Sequence, residues 1–420
     1  MQMGGKRISR KTLQIFLSCF TCVIILIKRV INPFDKLRVN PERTRRIEMF
    51  FDFPKFLKIG GGSRASYLGV DIGTTSIKMV ELAPGRGKPI LQNYGILENY
   101  GHLERPNSVI QTSSLKMIDS DVADLLKILM GQLKPKTRDV VASVPPFSSF
   151  TALLDVPAMS AEETAQAMQY QARSLVPLPI SEVTIDWLTV GEYEDDKGTK
   201  KQQIFLVSVP NEEIKKYQAV FKMAGLSLRA LEIEGLSLVR ILTKGRGTTL
   251  IMDIGALSTS IAVGDGGFLK YSAQTDFAGS SLTQAVAKGL EINVRRAEDL
   301  KRQRGLKGTG GEYELSTLML PYLDVILNEG KRVRDIYEKN YSPRSEAGRG
   351  KIEKVILSGG GANLLGIEAY VSDYFSLPAE KANPWDGVGF PKDLTPLLGE
   401  LSTLLPVALG LGLKQFWESV

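Results

Sequence analysis

The sequence predicts an α/β protein of two lobes, built from two similar halves with a smaller subdomain inserted between them. Three observations carry this expectation. The chain has 420 residues, more than one hydrophobic core usually serves. It writes Asp-Ile-Gly twice, in "YLGVDIGTTSIKMVEL" at 67–82 and "LIMDIGALSTSIAV" at 250–263, each time after an apolar run and before small hydroxyl residues. It also contains "IEKVILSGGGANLLGIEAYV" at 352–371, which reads as a strand, a glycine run and a helix.

Each Asp-Ile-Gly stretch reads as a buried strand ending in Asp, a Gly-containing turn and a return strand. Such a hairpin aligns backbone N–H groups and hydroxyls on one point, a concavity suited to phosphate oxygens. Gly73 and Gly255 permit the close turn because they carry no Cβ. Thr74, Thr75 and Ser76 offer hydroxyls in the first copy, and Ser258, Thr259 and Ser260 in the second. Asp71 and Asp253 would face a Mg2+ ion through water, since that ion keeps much of its hydration shell. Two copies 182 residues apart suggest two half-structures gripping one triphosphate from opposite sides. Gly359, Gly360 and Gly361 would lead into a helix whose N-terminus meets an anion or the face of a nucleoside. A plain strand-to-helix turn is the alternative, because three glycines fit neither a Walker nor a GxGxxG spacing.

The formal charge of +7 does not imply a nucleic-acid partner. Residues 1–65 hold 14 Lys/Arg against 4 Asp/Glu, whereas the rest of the chain holds 39 against 42. Basicity is thus a property of the N-terminal arm, and the body is slightly acidic. Both cysteines, Cys19 and Cys22, lie in that arm within "LQIFLSCFTCVIILI" and read as small apolar residues; a Cys-free body fits a reducing cytoplasm. The single histidine, His102, reads as a loop residue.

The arm carries an apolar run at 13–27 between basic flanks. As a helix it would reach about 22 Å, short of the ~30 Å hydrocarbon core. Lys28 and Arg29 stand where a signal peptide would need small residues. Residues 1–48 are therefore read as an extension outside the native chain, with Met49 as its start, or else as a weak membrane anchor.

The order of hairpin, second hairpin and glycine strand-helix resembles the actin/Hsp70/hexokinase ATPase fold. Within it the sequence is similar to the PilM family, cytoplasmic actin-like proteins of type IV pilus assembly related to the cell-division protein FtsA. The resemblance runs from about Tyr67 to Leu413. It includes "LLDVPAMSAEETAQAMQYQARSLVPLPISEVTIDW", "KMAGLSLRALEIEGLSLVR", "AEDLK" and "LPAEKANPWDGV". It implies a two-lobed actin-like (ribonuclease H-like) ATPase fold with an inserted FtsA-type subdomain, and ATP with Mg2+ as ligands. Lys78, Gly279 and Asn363 join the hairpin residues and the glycine run as candidate ATP contacts. Glu298 and Lys301 fall where this superfamily contacts the ribose and adenine; the alternative is a surface ion pair of ~0.2–0.5 kcal/mol.

The implied organisation is a first-lobe core over 66–149, an inserted partner-binding subdomain over 150–226 and a first-lobe return over 227–247. Second-lobe core segments follow over 248–281 and 352–395, with a helical subdomain over 282–351 and a connection at 342–350 between them. A closing helix over 396–420 returns to the first lobe. Ser160 and Glu163 form a capping box opening a helix of the insert. "VTIDWLTVGEY" and "QQIFLVSVP" form its hairpin, and Asn211 caps a helix ending at Gly225. By resemblance, a groove in or beside this αββα-like unit takes the N-terminal cytoplasmic peptide of a PilN-like inner-membrane protein. Pilus motor ATPases and a platform protein are the further partners, homo-oligomers remain open, and the location is the inner face of the inner membrane. The end of the chain lacks the long basic amphipathic tail by which FtsA holds membranes, so that mode of attachment is not expected, and the location is read as cytoplasmic and peripheral.

The segment "VVASVPPFSSF" at 140–150 stands where relatives orient the attacking water. It offers Ser143, prolines and further serines but no carboxylate or glutamine. The expectation is a site that binds Mg·ATP and turns it over slowly or not at all, with the nucleotide setting the angle between lobes. The competing readings are an FtsA-like filament former and a small-molecule kinase of the same superfold.

Overall fold

The computed structural model describes residues 23–29, 66–99, 119–195, 197–243, 245, 247–307, 313–340 and 350–419. His102, Cys19, Cys22, Met49 and most of the 342–350 connection lie outside them. The chain runs β1 (Val23–Arg29), β2 (Tyr67–Ile72), β3 (Ser76–Ala83), β4 (Ile90–Asn99), α1 (Asp119–Leu133), β5 (Asp139–Val144) and β6 (Phe150–Pro157). It continues with α2 (Ala161–Leu175), β7 (Val183–Glu194), β8 (Lys200–Pro210), α3 (Asn211–Met223), β9 (Ser227–Ile233) and α4 (Glu234–Leu242). The second half holds β10 (Thr249–Ile254), β11 (Thr259–Asp265), β12 (Phe268–Thr275), α5 (Gly279–Gly289), α6 (Val294–Arg304) and α7 (Tyr313–Asn340). It ends with β13 (Lys354–Ser358), α8 (Ile367–Phe375), β14 (Ala379–Lys381), α9 (Leu398–Leu404) and α10 (Pro406–Leu413).

Among the described residues the strands form three sheets. The first lobe has the order β1-β4-β3-β2-β5-β9 and the second β12-β11-β10-β13-β14. Setting β1 aside, both are three antiparallel strands followed by two parallel ones, so the repeated motif belongs to a repeated topology. The near-continuous apolar runs of β2 and β10 follow from burial on both faces, as parallel neighbours with helical cover demand. One core gathers β2–β5, α1, α3, α4 and α10; the other gathers β10, β11, β13, α5, α7 and α8.

The insert is smaller than the sequence suggests. It is the sheet β6-β8-β7 with α2 across it, over a core of Val156, Met168, Ala172, Val176, Val183, Ile204 and Leu206. The Ser160–Glu163 capping box opens α2. Helix α3 is not part of this unit. Its Ile214, Tyr217, Val220 and Phe221 are buried in the first-lobe core, where their large apolar area finds cover against α1 and β9. Nor does Asn211 cap it: the side chain accepts from Thr184 Oγ1 at 2.7 Å and donates to Ser181 O at 3.1 Å, stapling the insert to the helix start. Gly225, at φ 71°, ends α3 as its sequence implies.

The described part of the arm is a strand rather than a helix. β1 pairs antiparallel with β4, from Val23–Asn99 to Arg29–Asn93. Its β-branched residues favour the extended chain, and the pairing occupies an edge that β4 would otherwise expose. No single helix among the described residues is long and apolar enough to cross a bilayer.

Helix α10 closes the first lobe. It is buried throughout and lies against β2, β3, β5 and α4. Gly69 permits this, since a Cβ there would stand 2.0 Å from Ala408 O. Behind it, the buried Glu232 binds Arg240 at 2.6 Å and Lys414 at 2.7 Å. Burial alone would raise the Glu232 pKa, but these two cations outweigh it and hold it at about 2.

Candidate functional site

The two Asp-Ile-Gly hairpins face one another across a small cavity between the lobes. Each turn closes with the same bond, Gly73 N to Ser76 O at 2.9 Å and Gly255 N to Ser258 O at 3.0 Å. A Cβ at either glycine would come within 3.0 Å of that carbonyl, so the closure requires glycine. The cavity, of about 60 Å³, is lined by Asp71, Gly73, Thr74, Thr75, Ser76, Lys78, Glu234, Asp253, Gly255, Ser258 and Ser260, together with Pro145 and Phe147.

The carboxylates are held alike in the two halves. Asp71 ends β2 beside the parallel strand β5, and Ser143 donates to its Oδ1 at 3.0 Å. Asp253 pairs in register with Ser358 of the parallel strand β13, and that hydroxyl bonds its carboxylate. Across the antiparallel strand the halves diverge. Opposite Asp71 stands Lys78, whose ammonium reaches Oδ2 at 3.1 Å. Opposite Asp253 stands Ser260, whose hydroxyl donates to Glu234 Oε2 at 2.7 Å.

The segment at 140–150 holds no carboxylate, as its sequence shows, but Glu234 brings one to the cavity from another element. It opens α4 directly after β9, and the topology brings it between the hairpins. Burial, then the charges of Asp71 and Asp253, raise its pKa to about 8, against the Ser260 bond and Lys78. Burial likewise raises Asp253, opposed by Lys78 and Ser358. For Lys78 burial works downward, and Asp71 and Asp253 reverse it to a raised pKa. The signal available in the sequence was "LEIEG", a charged residue amid an apolar strand-to-helix junction.

A second cavity, of about 310 Å³, adjoins the first and shares Thr75, Ser76, Lys78, Gly255 and Ala256 with it. Its walls include Gly279, Glu298, Lys301, Gly360, Gly361, Asn363, Glu98, Glu400 and Leu404. Glu298 and Lys301 form an ion pair at 2.7 Å, and Lys301 also donates to Gly279 O and Thr283 Oγ1 at 3.0 and 2.8 Å. Burial alone would raise the Glu298 pKa, but Lys301 and the surrounding donors hold it at about 2. The pair therefore both builds the wall and keeps a fixed charge there.

Two candidate residues do not face the cavities. Thr259, fully buried, turns its hydroxyl to Phe277 O at 2.8 Å, because alternate strand residues face opposite ways. Gly359, at φ 81°, gives its N–H to Thr403 O at 2.8 Å and passes so close to β10 that a Cβ would meet Ile254 O at 2.4 Å. The glycine run also does not open a helix at once. Residues 360–363 form a 3-10 turn in which Asn363 donates to Thr403 Oγ1, and α8 starts at Ile367. Among the described residues, no group of three or more His, Cys, Asp or Glu side chains is arranged to hold a metal ion on its own.

The model of the family described as "Type IV pilus assembly protein PilM" matches residues 69–416. The chain belongs to the PilM family. A solved structure entitled "PilM-PilN type IV pilus biogenesis complex" is similar at 22% identity with a TM-score of 0.69, covering 84% of this chain and 99% of that one. Weaker likenesses are EutJ from Carboxydothermus hydrogenoformans (19% identity, TM-score 0.48, 83% and 89% covered) and ADP-bound MreB5 of Spiroplasma citri (16%, 0.48, 82% and 94%). The fold is thus the one shared with that PilM structure, two lobes with a small insert.

Proposed function

We propose that the chain binds Mg·ATP between its hairpins and serves as a scaffold of type IV pilus assembly at the inner face of the inner membrane. In this reading it takes the N-terminal tail of a PilN-like protein and links it to the motor ATPases and platform protein. The observation that carries the nucleotide is the pair of joined cavities, the smaller sized for phosphates and the larger for a nucleoside. Three carboxylates and one ammonium line the smaller cavity, a balance that repels a triphosphate unless a divalent cation enters with it. Asp71 and Asp253 would hold Mg2+ through water, which suits a site without a complete ligand cage. The metal would neutralise phosphate charge; Lys78 and the hairpin N–H groups would place the phosphates.

For the peptide, the candidate place is the seam between the insert and the first lobe, a gap of about 20 Å³ lined by Val144, Thr184, Asp186, Val207, Val209, Leu231, Glu232 and Ile233, which must widen to admit a tail. It lies between β7 and β9, each the end strand of its sheet, so an extended segment has unpaired backbone groups to meet. The similarity to a PilM–PilN complex makes a PilN-like tail the natural candidate. The test is a titration of that tail by fluorescence anisotropy, with Mg·ATP, Mg·ADP or neither, on wild type and Asp71→Ala. Binding that responds to nucleotide and loses the response in Asp71→Ala is the expected result. No binding in any state would remove the pilus-scaffold role.

A second reading, that the site hydrolyses ATP, is favoured by Glu234, a carboxylate of raised pKa facing the phosphate cavity. Its role would be to orient or deprotonate water. Phosphate release that falls at least tenfold in Glu234→Gln, with nucleotide affinity kept, is the outcome this reading requires.

A further inference from the structure

The insert belongs by connection to the first lobe, yet β12 of the second lobe lies against its strands β6 and β7. At that contact Lys270 leaves β12 and is buried, with 7% of its surface exposed. Its ammonium donates to Val190 O, and to Gln203 Oε1 at 3.3 Å. Both acceptors are neutral oxygens of the insert.

The receiving site is shaped for this group. The register of β7 on β8 slips between Thr189 and Gly191, so Val190 is an extra residue whose carbonyl stands outside the regular ladder. The next residue is Gly191, where a Cβ would lie 3.0 Å from the Lys270 ammonium and 3.2 Å from Gln203 Oε1. Burial lowers the lysine pKa, and the more distant Asp265 and Asp155 oppose the shift. A methionine would fill much the same volume without the desolvation cost. Packing alone therefore does not call for the charge.

The same strand reaches the phosphate cavity. Gln274 of β12 accepts from Phe147 N at 3.2 Å, and Phe147 lines that cavity. Opposite Gln274 on β11 stands Ser260, the residue that binds Glu234. β12 thus touches both the hairpin walls and the insert, and Lys270 is the point where it grips the insert.

We propose that the Lys270 latch in the β7 bulge carries the state of the nucleotide cleft to the insert, and so to the groove between β7 and β9. This rests on the nucleotide reading above. When the lobes rotate about the cleft, β12 slides along the insert, and an ammonium seated on two oxygens makes β7 follow it. Without the latch the insert would remain with the first lobe, and its groove would no longer sense the cleft. A ligand biases such an equilibrium only through its differential affinity for the two arrangements.

The experiment is hydrogen–deuterium exchange on the full chain with and without Mg·ATP, in wild type, Lys270→Met and Gly191→Ala. In wild type, exchange is expected to change by about fivefold or more at 183–194 as well as at 67–82 and 250–263. Lys270→Met should keep the hairpin response and lose that at 183–194. Gly191→Ala, which crowds the ammonium from the other side, should do the same, and the double variant should add nothing further. Thermal melting confirms that each variant is folded. A wild-type hairpin response without one at 183–194, or a response at 183–194 that survives Lys270→Met, overturns the latch while leaving nucleotide binding intact. Absence of any hairpin response overturns the nucleotide reading and the latch with it.

Discussion

The two halves share a strand order and an aspartate held by a serine of the neighbouring parallel strand, yet they face the cavity with different chemistry. The first hairpin sets an ammonium opposite its aspartate; the second sets a hydroxyl there and through it steadies Glu234. The repetition supplies a cradle with two jaws. The divergence puts an ammonium beside the first aspartate and, across from the second, a hydroxyl that binds the Glu234 carboxylate of the first lobe. A duplicated scaffold thus needs only the cross-strand position to become asymmetric.

Away from the two hairpins, the asymmetry is tested by one ion pair from each half. Glu232 in the first half, 1% exposed, should be costlier to lose than Glu298 in the second, 13% exposed. Truncating Glu232→Ala removes the buried carboxylate that both Arg240 and Lys414 bind, with an expected loss of ~3–5 kcal/mol in denaturant unfolding; Glu298→Ala should lose clearly less. Both carboxylates have depressed pKa values of about 2, so the stability they supply is present above their unfolded pKa near 4.5 and is lost as pH falls toward 2. Equal losses would mean the two halves are equally braced.

Within the cavity, Lys78→Met should weaken Mg·ATP binding by roughly 10- to 100-fold, and Ser260→Ala by less than about tenfold. A fluorescent-nucleotide titration decides it, and the reverse order would place the main phosphate contact on the second jaw. A smaller effect should come from Glu234. Its raised pKa means that its contribution to stability is present below about 4.5 and lost as pH rises through about 8. Glu234→Gln should therefore raise the melting temperature at pH 8.5 by at least roughly 2–4 °C and leave it nearly unchanged at pH 4. A rise of the same size at both pH values would show that packing, not ionisation, is responsible. The smallest change is expected from Ala256→Thr, which gives the second turn the residue of the first at Thr74; affinity should stay within about threefold.

The hairpins were legible because everything they need lies within a dozen residues: buried strand, Gly turn, return strand. Helix α2 and the end of α3 were legible for the same reason, through a capping box and a C-terminal glycine. Glu234 was not, since only the order β2-β5-β9 carries it to Asp71. The ownership of α3 was hidden too, because an amphipathic pattern says that a face is buried and not against what. Thr259 and Gly359 were misplaced by one alternation and by one close backbone approach. The apolar run of the arm suited a helix or a strand equally by composition, and the waiting edge of β4 decided for the strand over Val23–Arg29.

The burial of α10 beneath β2 has a consequence for how the chain is made. The second-lobe core is encoded in one stretch from β10 through β14 and can gather as it leaves the ribosome. The first lobe has its sheet early but its seal late: Lys414 meets Glu232 across 182 residues of chain. Its apolar sheet face must wait, uncovered, while the other lobe is synthesised and folds. Closure of the earlier-written half therefore depends on residues written after the whole of the other, the kind of long-range contact that slows folding.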